Sequence, residues 1–161
     1  MPITPFLWFD TQAEEAARFY TRIFKNSRIT AITRYPDAGG EVHGKPAGSV
    51  MVVAFELNGQ AFTALNGGPQ FHFDNAVSFV IDCTDQDEID YYWEKLSAGG
   101  DPEAQQCGWL KDKFGLSWQV VPKGLMELLG AGDAEAVKRV FTAVMGMKKL
   151  DIAALERAFA G

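Results

Sequence analysis

The chain has 161 residues, 47% of them hydrophobic, enough for one domain with a sizeable core or two small fused modules. Fifteen basic residues against twenty-one acidic ones give a formal charge of −6 with no basic stripe, which argues against nucleic acid as the main partner. No apolar run approaches the roughly 20 residues that span a bilayer, so no membrane partner is expected.

The N-terminus, Met1-Pro-Ile-Thr-Pro-Phe6, lacks a basic region followed by an apolar stretch, and no secretory signal is expected. Two cysteines, Cys83 and Cys107, do not make a disulfide framework; reduced thiols in a cytoplasmic protein are the default. Ile3 to Phe9 reads as a first strand. Thr11 to Glu14 has the spacing of a capping box, and Ala16, Phe19, Tyr20 and Ile23 follow on one helical face. Arg28 to Tyr35 reads as a strand, and Pro36 to Gly48, which carries His43, as a long loop. Ser49 to Leu57 and Gln60 to Leu65 flank Asn58-Gly59, a strong two-residue hairpin signal. That turn pairs Phe55 with Phe62 and Val53 with Ala64, making one apolar face. Asn66-Gly-Gly-Pro69 then breaks the pattern.

Ala76 to Asp82 is the next strand. Thr84 or Asp85 caps a helix with Ile89, Tyr92, Trp93 and Leu96 on one face, and Gly99-Gly100 stops it. A short strand near Glu103 to Gln106 precedes a hairpin from Cys107 to Pro122, turned at Asp112-Lys-Phe-Gly115. The charges of Lys111, Asp112 and Lys113 read as an exposed turn. Leu125 to Leu129 forms a helical turn ended by Gly130. Asp133 and Asp151 cap two further helices, too apolar to stand free, which must pack on the modules or on a second subunit.

The chain repeats itself. A shift of 73 residues lays Thr11 on Thr84, Glu15 on Glu88, Ala16 on Ile89, Phe19-Tyr20 on Tyr92-Trp93 and Ile23 on Leu96. The fold class read from this is α+β: two βαβββ modules, about 2–69 and 75–122, whose sheets face each other as a cup in one domain of residues 1–122. Residues 123–161 form a C-terminal helical extension.

Gln119 is the first choice for a ligand contact, because a polar side chain in so apolar a strand needs a partner, which can be ligand, water or backbone. Ser78 stands in the same position. Trp8, Phe62 and Trp109 either line an apolar cup or belong to the core. Asn66 joins the candidates at the break after the hairpin. Cys107 is a possible thiol contact, but no histidine or lysine adjoins it in sequence to activate it, which favours an inert role.

The chain resembles the PhnB-like branch of the vicinal oxygen chelate superfamily, the branch labelled "3-demethylubiquinone-9 3-methyltransferase". The residues that carry the resemblance are Phe6-Leu-Trp-Phe-Asp10 with Glu15-Ala16 and Phe19-Tyr20, Leu65-Asn-Gly-Gly-Pro69, Ser78-Phe79 and Gln86-Asp-Glu-Ile-Asp90. They continue through Tyr92-Trp93, Cys107 to Gln119 and Met147-Lys-Lys-Leu150. The resemblance implies paired βαβββ modules and a homodimer. It also implies a site where related enzymes hold a divalent metal with His and Glu. The matching positions here fall near Pro5, near Ala64, around Ala76 to Ser78, and on Gln119. None offers a histidine or carboxylate, and a glutamine amide is a poor ligand for a catalytic metal. The glycine pairs at 39–40, 67–68 and 99–100 also lack the strand–turn–helix setting of the commonest methyltransferase cofactor site. The expectation is a small-molecule-binding protein without metal or cofactor. The alternatives are an enzyme of the same fold acting on a quinone-like substrate, and an interaction protein using the C-terminal helices.

Overall fold

The computed structural model describes residues 3–131 and 133–161, and the chain divides into two compact units between Phe73 and Asp74. The first unit runs β1 (Phe6–Phe9), α1 (Ala13–Ile23), β2 (Arg28–Arg34), the single-turn α2 (Gly40–His43), β3 (Val50–Leu57) and β4 (Gln60–Asn66). Its sheet has the order β1-β4-β3-β2, with β1 parallel to β4 and the other pairs antiparallel. Asn58 and Gly59 both take left-handed backbone, φ 48° and 81°, as a two-residue hairpin turn requires. The register is the expected one: Phe55 opposite Phe62, Val53 opposite Ala64.

That apolar face lies under α1. Leu7, Phe9, Val53, Phe55, Leu57, Phe62 and Ala64 are buried, as are Ala13, Ala16, Ala17, Tyr20 and Ile23 of the helix. The alanines bring the helix close to β3 and β4, and the Tyr20, Phe55 and Phe62 rings stack at 6.3 and 5.5 Å. The capping box does not form. Gln12 takes the N-cap position without a side-chain bond, and Asn66 caps the helix from the end of β4, its Oδ1 accepting the Ala13 N–H at 2.8 Å.

The second unit opens with β5 (Ser78–Cys83) and α3 (Gln86–Ser97) and continues with β6 (Trp109–Lys111) and β7 (Ser117–Pro122). The sheet order is β5-β7-β6, with β5 parallel to β7 as β1 is to β4. Helices α1 and α3 begin at positions related by the 73-residue shift. Here Asp85 supplies the cap, accepting the Glu88 N–H at 2.9 Å. The place expected for a strand at Glu103 to Gln106 is taken by a 3-10 turn over Pro102–Ala104 and a single bridge between Gln106 and Trp109. Pro102 lacks an N–H to give a ladder, and the Asp101 carboxylate accepts the Glu103 N–H, so this stretch favours a capped turn.

The C-terminal helices are α4 (Leu125–Ala131), which continues through Gly130, α5 (Ala134–Met145) and α6 (Ile152–Ala160). Asp133 and Asp151 cap α5 and α6 as expected. All three pack in cis on the second unit, where Leu125, Val140, Val144, Leu150 and Leu155 form one cluster with Val121 of β7. The docking is also polar. Cys107 and Gly108 donate their N–H groups to the Met147 and Lys148 carbonyls, both at 2.8 Å. The Gln86 amide accepts the Ile152 N–H at 2.9 Å and donates to the Leu150 carbonyl at 3.2 Å.

Candidate functional site

The alternation of β7 separates two faces. Trp118 and Val120 turn toward α3, whose Ile89 and Leu96 are buried with them and with Leu110. Gln119 points to the other face, where its register partners are Val80 of β5 and Trp109 of β6. Val80 is 54% exposed, whereas Gln119, Trp109 and Ser78 are half-buried. The Gln119 Nε2 donates to Ser78 Oγ at 2.9 Å. No buried side-chain nitrogen or oxygen among the described residues lacks a partner, and Gln119 makes no other side-chain bond. Its Oε1 is therefore open to solvent. A hydroxyl both donates and accepts, so the pair can turn either an acceptor or a donor outward. Three of the residues singled out from sequence thus meet on one face: Ser78, Trp109 and Gln119. Val80 belongs with them and was missed; the parallel register of β5 and β7 is what brings it there.

Cys107 precedes β6 in left-handed backbone, φ 55°, and its Sγ lies 3.6 Å from Met145 Sδ. It sits where the C-terminal segment docks. Gly108 is required there, because a Cβ would come within 3.0 Å of the Val120 carbonyl and 3.1 Å of Leu150. The other thiol, Cys83, is buried. Burial first, then the nearby carboxylates of Glu88, Asp82 and Asp85, push it up to about 12, so it is a protonated, unreactive group at neutral pH.

The charged turn differs most from the sequence reading. Asp112 is 2% exposed. Its Oδ1 accepts the Phe114 and Leu116 N–H groups at 2.8 and 3.1 Å, and its Oδ2 accepts the indole N–H of Trp118 at 2.9 Å. This carboxylate organises the β6–β7 turn from inside, with Gly115 at φ 86° closing it.

The other three candidates lie in the first unit. Trp8 is half-buried on the sheet face opposite α1, its indole donating to the Gly68 carbonyl at 2.9 Å and meeting the Phe71 ring edge-on at 5.0 Å. Gly67 lies so close beneath it that a Cβ there would stand 2.2 Å from the ring. Phe62 is on the opposite face, 7% exposed and stacked on Phe55 in the core under α1. Asn66 is buried. Besides capping α1 it donates to the Val50 carbonyl at 3.1 Å, and its own carbonyl accepts the Tyr35 hydroxyl at 2.7 Å. The Asn66-Gly-Gly sequence thus serves to join β1, α1 and β3.

The donor set does not fit a divalent metal. No group of three His, Cys, Asp or Glu among the described residues could hold one, and Gln119 has a hydroxyl, an indole and a valine for neighbours. Ala64 faces the core under α1, so the open-face residues beside it are Thr63 and Leu65, neither a charged ligand. Among the described residues no helix is long and apolar enough to cross a membrane.

The family model described as 3-demethylubiquinone-9 3-methyltransferase matches residues 1–121. Among solved structures, the PhnB protein of Bacillus cereus, which carries the same methyltransferase description, is 36% identical, with 76% of this chain and 99% of that one covered and a TM-score of 0.64. The fosfomycin resistance protein FosX from Mesorhizobium loti matches at 14% identity over 81% and 97% of the two chains, with a TM-score of 0.56. FosX from Listeria monocytogenes, complexed with Mn(II) and sulfate, matches at 17% identity over 81% and 95%, with a TM-score of 0.51. At these identities the FosX likeness shows the fold alone. No curated protein matches. With a family model covering most of its length and a relative above 30% identity covered almost entirely, the chain belongs to the PhnB-like 3-demethylubiquinone-9 3-methyltransferase family of the vicinal oxygen chelate fold.

Proposed function

We propose that this protein binds a small molecule without a divalent metal, through the face of the second sheet that carries Ser78, Val80, Trp109 and Gln119. The observation that carries this reading is the Gln119–Ser78 hydrogen bond with its open amide oxygen, set beside an indole and an exposed valine. Such a patch suits a flat, partly apolar molecule with one neutral hydrogen-bonding group, such as a hydroxyl or carbonyl. The neutral amide where related enzymes place a charged ligand supports metal independence. The two unpaired thiols suit a reducing compartment such as the cytoplasm, and the working form is a homodimer.

The family description favours a second reading, an enzyme that methylates a quinol at this same face. Incubation with S-adenosylmethionine and a panel of quinols separates the two. Saturable binding without methylated product is the expected result, and product formation would establish the enzyme. Elemental analysis of untagged protein should find no stoichiometric metal; near-equimolar zinc, nickel or manganese would overturn metal independence. Sedimentation equilibrium should give twice the chain mass.

A further inference from the structure

The C-terminal helices enclose a cleft of their own. Pro122 at the end of β7 and the Lys123-Gly124 turn after it line a cavity of about 280 Å³ between α4 and α6. This is close to the lower end of small-ligand cavities, roughly 300 Å³. Leu125 and Leu128 of α4 form one wall. Ile152, Leu155, Glu156 and Phe159, a single stripe of α6 at i, i+3, i+4 and i+7, form the other. The stripe is apolar except for Glu156, and the one other charged group lining the cavity is Lys123. Both are exposed, and neither makes a side-chain hydrogen bond or ion pair within the described residues, with each other or with anything else.

The two charges select the occupant. A purely apolar molecule would fill the cavity but leave the carboxylate and the ammonium that line it without a partner. A simple anion or cation would satisfy one charge and be repelled by the other. A zwitterion satisfies both. We propose that this cavity is a separate binding site for a zwitterionic amphipath of amino-acid size. Its carboxylate meets Lys123 and its ammonium meets Glu156. Its apolar side chain lies among Leu125, Leu128, Leu155 and Phe159. The site shares no residue with the sheet face proposed above, so either can fail alone.

Calorimetric titration of the full chain with L-phenylalanine, 3-phenylpropanoate and 2-phenylethylamine tests it. L-Phenylalanine should bind saturably, with each single-charge analogue at least tenfold weaker and NMR amide shifts confined to α4, α6 and residues 122–124. Glu156→Gln should weaken L-phenylalanine and 2-phenylethylamine but tighten 3-phenylpropanoate by removing a repulsion; Lys123→Met should weaken L-phenylalanine and 3-phenylpropanoate but tighten 2-phenylethylamine. Circular dichroism checks that both variants fold, as exposed substitutions should. Absence of saturable binding to about 10 mM, equal binding of a single-charge analogue, or indifference to both substitutions would each overturn the proposal.

Discussion

Replacing Asp112 with alanine removes the acceptor of three hydrogen bonds at once, two to the turn backbone and one to the Trp118 indole. Trp118 is 2% exposed, so water cannot readily take over its N–H. A hydrogen bond to a charged group contributes about 1.5–3 kcal/mol, and a buried donor left unmatched costs about 1–3 kcal/mol; these overlap rather than add, giving an expected loss of about 3–5 kcal/mol. In a protein of this size that lowers the melting temperature by roughly 2–4 °C per kcal/mol, or about 6–20 °C in all. Asp112→Asn is the more discriminating change. Its Oδ1 keeps both backbone bonds, but an NH2 now faces the indole N–H, and the loss should be about 1.5–3 kcal/mol. Pairing it with Trp118→Phe removes the opposing donor, so the double variant should be less destabilised than the two single losses summed, by about 1 kcal/mol. Urea unfolding followed by circular dichroism reads wild type, Asp112→Ala, the two single variants of the pair and their double variant. An Asp112→Ala protein within about 0.5 kcal/mol of wild type would refute the view that this carboxylate holds the turn, because that is the range of an ordinary exposed substitution.

Asn66→Ala should cost about 2–3 kcal/mol by chemical denaturation, since it uncaps α1 and strands the Val50 carbonyl. Gly67→Ala puts a Cβ 2.2 Å from the Trp8 ring, so the indole must move and lose its bond to Gly68; the loss should be about 1–3 kcal/mol, with a displaced Trp8 indole resonance in the NMR spectrum. Cys83 retains its proton in the folded state to about pH 12, whereas the unfolded thiol loses it near the ordinary 9.0. The stability this contributes is full below about pH 9 and is lost as pH rises from there toward 12, at up to about 1.4 kcal/mol per pH unit. The gap between wild type and Cys83→Ala in urea titrations should therefore narrow over that range. In native protein at pH 8, a thiol reagent should label the half-buried Cys107 well before Cys83, which should react only on unfolding.

The sheet of the first module could be read closely because its signals are local. Asn58-Gly59 sets the turn, the turn sets the pairing of Phe55 with Phe62, and two-residue alternation then assigns every side chain to a face. The same alternation marked the Phe62 face as the more apolar one. A helix with an alanine-rich stripe takes that face, which places Phe62 in the core and leaves Trp8 on the other side. What stayed hidden depends on distant partners. Asn66 caps a helix that begins 53 residues earlier, so the local Thr11–Glu14 pattern misled. Asp112 between two lysines has the composition of a solvated turn; the clue to its burial was Trp118, since a buried indole needs an acceptor. The three polar and aromatic candidates of the second sheet could be named individually, but the β5–β7 pairing that joins Ser78 to Gln119 connects strands 41 residues apart. The cavity between α4 and α6 had no local signal, because its apolar stripe reads as ordinary helix packing.

Gln119 and its neighbours are proposed to bind a neutral, hydrogen-bonding small molecule without a metal. A calorimetric titration of chelator-treated protein with a short-tailed 3-demethylubiquinone, repeated with manganese added and repeated on Gln119→Leu, tests it most directly. Saturable binding is expected, the same with and without manganese and at least tenfold weaker in the variant. Binding that appears only when manganese is added, or that is as tight in Gln119→Leu as in wild type, would contradict it.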